Sequence, residues 1–219
     1  MATRQLLAEL VDAYRGRTDV EVAIESVGGV DAARRVQAGE PFDLVVLASD
    51  AIDRLAAAGQ VVAGSKVDLV LSGVAVAVKT GAKRPDIGSE AAMKQAVLAA
   101  PTIGYSTGPS GVALMQLFKR WGIADAVRER TVQSPPGVPV GTLVARGEVA
   151  MGFQQLSELM HLEGIDIVGP LPDPIQIKTT FSGAVCAASQ QPDAARELLD
   201  FMASPHAAET KRRHGMQPA

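Results

Sequence analysis

Two long apolar runs constrain this chain more than any other feature. "VDLVLSGVAVAV" at 67–78 and "IQIKTTFSGAVCAAS" at 175–189 bracket the middle third of the sequence, and each has the apolar length of a buried strand. Around them the chain alternates apolar stretches with helical patterns. "VEVAIESV" (20–27) and "FDLVVLAS" (42–49) read as buried strands, with a short helix between them that Gly39 closes. Helical "DAIDRLAAAGQV" follows, with Asp50 as its N-cap and Gly59 as its stop. After a polar stretch the rhythm restarts: strand "TIGYS", a helix from Gly111 to Trp121, helix "VPVGTLVARG", strand "VAMGFQQ", helix "LSELMHL" and strand "DIVG". Two helices close the chain. This alternation predicts an α/β fold of mixed, mainly parallel sheets flanked by helices. The bracketing runs predict two lobes, 1–79 with 180–219 and an inserted 80–179, with a ligand cleft expected between them.

Composition removes several functions. The formal net charge is -3, and the one basic cluster, "KRRH" at 211–214, reads as favourable charge near a helix C-terminus, so a nucleic-acid partner is not expected. A single cysteine, Cys186, excludes an internal disulfide framework. There is no HExxH, no acidic calcium loop and no GxGxxG or GxxxxGK[ST] segment, so neither a metal nor a cofactor is expected. No apolar run approaches the roughly 18 residues of a membrane span. The opening "MATRQLLAELVDAYRGR" places Leu6, Leu7, Leu10, Val11 and Tyr14 at helical spacing, as in an amphipathic helix rather than the apolar segment of a signal peptide.

Four junctions share a composition that suits an anion. "ESVGGVDAA", "LASDAID", "YSTGPSGVA" and "SPPGVPVGT" each put Gly, Ser, Thr or Pro immediately before a helix. Helix starts expose unpaired N–H groups and a partial positive charge, so several aimed at one place would hold an anion without many lysines. Any one of them alone also reads as ordinary capping. Phe118, Trp121, Phe153 and Phe201 fall within apolar periodic patterns and belong to the core, while Tyr105 precedes the "STGPSG" loop. His161, His206 and His214 fall at helix ends or on the surface.

"RRVQAGEPFDLVVLASDAIDRLAAAGQV", "GVPVGTLVARGEVAMGFQQLSEL", "FSGAVCAASQQPDAARELLDFMASPHA" and the closing "KRRHGMQP" resemble, in order, the molybdate-binding branch of the type 2 periplasmic solute-binding proteins. The resemblance implies the two-lobed fold of that family. It implies an extracytoplasmic protein of ABC-transporter type, a monomer serving a membrane permease, that binds a small anion: an oxyanion such as molybdate, or a carboxylate. Placed residue by residue, the family's serine pair falls on Gly28 and Gly29, its Pro-Ala-Gly loop on Pro109, Ser110 and Gly111, a further helix start near Gly137 and Val138, and its pocket tyrosine on Gln155. Thr3 and Ser49 open two more helices on the ligand side. The family pattern begins with a strand ahead of the first helix, and this sequence enters it at Met1, Ala2 and Thr3. Upstream residues carrying that strand and an export signal are therefore expected, with a periplasmic location, or a cytoplasmic one if Met1 is the true start.

"GFQQLSEL" and the "STGPSG" loop also resemble the bacterial aconitate isomerase branch on the same scaffold. That alternative implies an enzyme that moves a proton across an allylic tricarboxylate. Gln154, Gln155, Ser106, Thr107 and Ser110 would hold carboxylates, Arg34 or Arg35 would supply charge, and Glu158, one turn beyond Gln154, would be the acid–base candidate.

Overall fold

The computed structural model describes residues 2–219. Met1, on which the expectation about the chain's start turned, lies outside the described residues. In chain order the helices and strands are α1 (Arg4–Arg15), α2 (Gly29–Gln37), β1 (Leu44–Ala48), α3 (Ser49–Ala57), β2 (Val67–Lys79), α4 (Glu90–Ala99), β3 (Ile103–Tyr105) and α5 (Pro109–Arg120). There follow α6 (Ala124–Val127), β4 (Thr131–Gln133), α7 (Val140–Arg146), β5 (Met151–Gln155), α8 (Leu156–Leu159), β6 (Ile165–Pro170), β7 (Lys178–Val185), α9 (Pro192–Ala203), α10 (Ala208–Arg213) and β8 (Met216–Pro218). The chain divides into two compact units, Met1–Ser72 with Thr179–Ala219, and Gly73–Lys178.

In the first unit, the amphipathic spacing of α1 buries Leu6, Leu10, Val11 and Tyr14. They pack with Leu198 and Met202 of α9 and Met216 of β8, each large apolar side chain contributing about 1.5–3 kcal/mol of burial. β1 pairs antiparallel with β7, Leu44 opposite Val185 and Ala48 opposite Phe181, and β8 pairs antiparallel with β2 at Val70 to Ser72. The terminal basic cluster divides: Lys211 is buried, whereas Arg213 and His214 both reach Glu9 of α1, His214 at 2.8 Å.

Two expectations fail here for identifiable reasons. Residues 20–27 join no ladder among the described residues. Val20 and Val22 do pack against the core, but Ile24 is 41% exposed. Alternation gives a segment one buried face; it becomes a strand only when a neighbouring edge satisfies its backbone groups, and the described pairing of β1 is with β7. Asp50 does not cap α3. Its carboxylate turns to Arg54 one turn on, at 2.7 Å, and the helix starts one residue earlier at Ser49.

The second unit carries the α/β rhythm. β3 pairs in parallel with β4 and with β5, while the second half of β2 pairs antiparallel with β5 and with β6. The sheets are therefore mixed, and the expected mainly parallel pairing is confined to β3 and its two neighbours. Parallel pairs need a helical crossover, and the chain supplies one on each side of β3. Val74, Val76, Met93, Val97, Phe118 and Phe153 form the core, with the Phe118 ring 6.0 Å from Trp121 and 6.2 Å from Phe153. These aromatics are structural, as their spacing predicts.

Candidate functional site

The second unit gathers three loops at one edge. Because β3 is parallel to both neighbours, with Tyr105 opposite Gln133 of β4 and Phe153 of β5, the chain leaves all three strands on the same side. The segments that follow are 106–108 before α5, 134–139 before α7, and α8 directly after β5. In α/β sheets the carboxyl ends of parallel strands are where ligands bind, since helix starts and loop donors converge there.

Ser106, Thr107, Ser110 and Gly111 form the first loop. The Ser106 and Ser110 hydroxyls lie 3.2 Å apart, Ser110 is buried and Thr107 is exposed. A Cβ on Gly111 would stand 1.8 Å from the Ser106 carbonyl oxygen, so only glycine lets the strand end lie against the helix start. The expected fan of amides is narrower than the sequence suggests. Pro109 has no N–H, and those of Gly111 and Val112 turn back to the Gly108 carbonyl at 3.0 and 3.3 Å. The Ser106, Thr107 and Ser110 hydroxyls add side-chain donors to this loop.

The second loop is tied to the first. Ser134, 2% exposed, donates its backbone N–H to the Tyr105 carbonyl at 2.8 Å and its hydroxyl to the Val138 carbonyl at 2.5 Å. Sequence reasoning missed this residue, although a serine ahead of two prolines is a readable turn signal. Gly137 turns the loop with φ of 79°, a left-handed conformation that disfavours side chains, and Val138 is half-buried ahead of α7. The Tyr105 ring packs against the core, and its carbonyl is the group that accepts from Ser134.

Gln154 and Gln155 end β5, both 3% exposed. Alternation sends them to opposite faces. The Gln154 side-chain amide oxygen accepts from the N–H groups of Val140, at 2.7 Å, and Gly141, at 3.3 Å. Glu158 is half-buried in the first turn of α8, and burial raises its carboxyl above the ordinary range.

The first unit holds the other predicted residues. Thr3 caps the start of α1 in position but not through its side chain, Gly28 and Gly29 begin α2, and Ser49 begins α3. Arg34 and Arg35 are engaged locally: Arg34 with Asp31 at 2.9 Å, Arg35 with Glu25 at 2.6 Å and Glu40 at 2.7 Å and over the Phe42 ring. The Cys186 thiol is pushed up to about 11, first by burial and then by Asp43, which leaves it an inert core group.

Fold and loop arrangement together define a solute-binding protein scaffold, and the chain belongs to the bacterial extracellular solute-binding protein family, whose model matches residues 1–217. It is 42% identical over 218 residues to an aconitate isomerase of a Pseudomonas species, covering 97% of this chain and 83% of that protein. It is 25% identical over 190 residues to the molybdate-binding protein ModA of Azotobacter vinelandii, covering 83% of this chain and 73% of that one. The solved periplasmic molybdate-binding protein of Azotobacter vinelandii superposes with a TM-score of 0.80 at 18% identity, over 98% of this chain and 94% of its own, which shows the shared fold. Among the described residues no helix is long and apolar enough to cross a membrane.

These relationships correct the main functional expectation. A transporter-serving protein for molybdate or a similar anion is overturned by the 42% identity to an isomerase, against the distant match to a molybdate-binding protein. The fold is common to both, so its segments could not separate them. The part of the sequence that resembled the isomerase branch was the "GFQQLSEL" segment with the "STGPSG" loop.

Proposed function

We propose that the protein is an isomerase of aconitate type, which interconverts trans- and cis-aconitate outside the cytoplasm. The observation that carries this reading is the 42% identity, over 97% of the chain, to an aconitate isomerase. The reaction moves one proton between the two ends of an allylic system, and it needs donors that hold three carboxylates and one group that takes and returns a proton. Ser106, Thr107, Ser110 and the amide of Gln155 are suited to the first task. Neutral donors preserve the basicity that the second task requires, because they orient the carboxylates without adding a full charge beside the base.

Incubation with trans-aconitate, followed by NMR for the cis isomer, tests the reading: turnover is expected, and its absence from a folded protein sinks it. The paired substitution Thr107→Ala with Ser110→Ala should raise KM by about tenfold or more, as loss of hydrogen bonds to charged groups does. An unchanged KM would return the loop to the role of a turn.

A further inference from the structure

Resting on the isomerase reading, we infer that Gln154 is a positioning residue for substrate: it anchors the start of α7 and so fixes the second loop, whose remaining backbone donor is the N–H of Gly137. Backbone donors between Ser134 and Thr142 are nearly all spent inside the protein. The Ser134 N–H goes to the Tyr105 carbonyl, that of Val138 to Pro135 and that of Thr142 to Pro139. Pro135, Pro136 and Pro139 have no N–H to give. Those of Val140 and Gly141 both go to the side-chain oxygen of Gln154, at 2.7 and 3.3 Å. Exposed Gly137 is left as the one N–H of this stretch without an acceptor among the described residues.

The direction of that N–H depends on what holds the loop at its two ends. Upstream, Ser134 is tied to β3 through Tyr105; downstream, the tie is Gln154. Gly104 and Gly152 stand opposite each other on β3 and β5. A Cβ on Gly104 would come within 2.9 Å of Val140 Cγ1, and one on Gly152 within 3.0 Å, so the bare strands let the start of α7 lie directly against them. Val140 is fully buried and Gln154 is 3% exposed. The first turn of a helix has no acceptor of its own for its N–H groups, and out of water none replaces the Gln154 oxygen once it is removed. Gln154, expected from the sequence to hold a carboxylate, therefore has its oxygen committed to the scaffold, and it reaches substrate through the loop it steadies.

A backbone N–H given to a carboxylate makes a charge-assisted bond. One that grips the carboxylate before, during and after the proton transfer contributes uniform binding, so displacing it raises KM and leaves kcat nearly untouched.

The test uses the full chain with trans-aconitate. Gln154→Met keeps the length of the side chain and removes the acceptor. The Val140 and Gly141 amides should exchange faster with D2O by NMR, Tm should fall by about 2–12 °C, and KM should rise about tenfold or more with kcat within about threefold. Val97→Ala, a cavity variant of the buried face of α4, is the comparison: it should lower Tm with KM unchanged, which separates lost positioning from lost stability. Gln154→Asn, whose amide falls one methylene short, should move KM in the same direction as Gln154→Met. Wild-type KM in Gln154→Met, or unchanged exchange at Val140 and Gly141, overturns the assignment and leaves the isomerase reading standing, whereas no wild-type turnover overturns both. Should Gln154→Met not fold, a folded Gln154→Asn with wild-type KM overturns it equally.

Discussion

Replacing Gly111 by alanine should damage both stability and turnover, and the size of the effect follows from one contact. The new Cβ would lie 1.8 Å from the carbonyl oxygen of Ser106, 2.9 Å from its carbon and 3.2 Å from Tyr105 Cδ2. A carbon and a carbonyl oxygen settle at about 3.3 Å or more, so the strand end and the helix start must part by roughly 1.5 Å. Two backbone segments have to move, because neither atom belongs to a flexible side chain. Such overpacking costs about 1–3 kcal/mol. In a chain of this size each kcal/mol lowers Tm by about 2–4 °C, so a fall of roughly 2–12 °C is expected by thermal circular dichroism. The Ser106 and Ser110 hydroxyls, 3.2 Å apart, lose their register, and a displacement near 1 Å lowers kcat/KM for trans-aconitate by about 100-fold. Gly108→Ala is the control: its φ is -78° and the nearest atom to its Cβ is 3.7 Å away, so it should cost only about 0.5–1 kcal/mol, as a lost glycine cap. Gly111→Ala melting within 1 °C of wild type and turning over at the same rate would refute the reasoning.

Two further outcomes follow from the first unit. Arg35→Ala should lower Tm more than Arg34→Ala, because Arg35 joins Glu25, Glu40 and the Phe42 ring while Arg34 meets Asp31 on an open surface. The difference should shrink in high salt, and KM for trans-aconitate should stay within about twofold; a large rise in KM would show that this charge reaches substrate. Glu9 is held below its ordinary value of 4.5 by the hydrogen bond from His214 first and Arg213 after it. A depressed carboxylate stabilises the fold above the unfolded value and loses that contribution as pH falls through the folded one. The Tm gap between wild type and Glu9→Gln should therefore be open near neutral pH and close below about 4.5; a gap that persists in acid would deny the pairing.

Most elements were legible because their signals are local. The helical spacing of Leu6, Leu10 and Tyr14 and the apolar runs that became β2 and β7 carry their structure in a few neighbouring residues. The segment at 20–27 was misread because pairing depends on an edge far away in sequence. At the site, the hydroxyl loop was visible from composition, but the closure of Gly111 and Val112 onto Gly108 was not, since it depends on how the first turn is wound. The bond from Gln154 to the start of α7 spans 14 residues and joins a strand to the next layer, so no spacing rule announces it. Function was harder still: residues that keep the scaffold greatly outnumber those that choose its chemistry.

The parallel trio of β4, β3 and β5 has a consequence for how such proteins diversify. Its strands are short, three, three and five residues, and their inward faces do the packing, while the candidate site residues lie at or just beyond their ends. Selection can therefore rewrite what the molecule does by editing loop positions, with the hydrophobic frame left to drift on its own schedule. A lineage built this way can change what its loops bind while its frame stays folded.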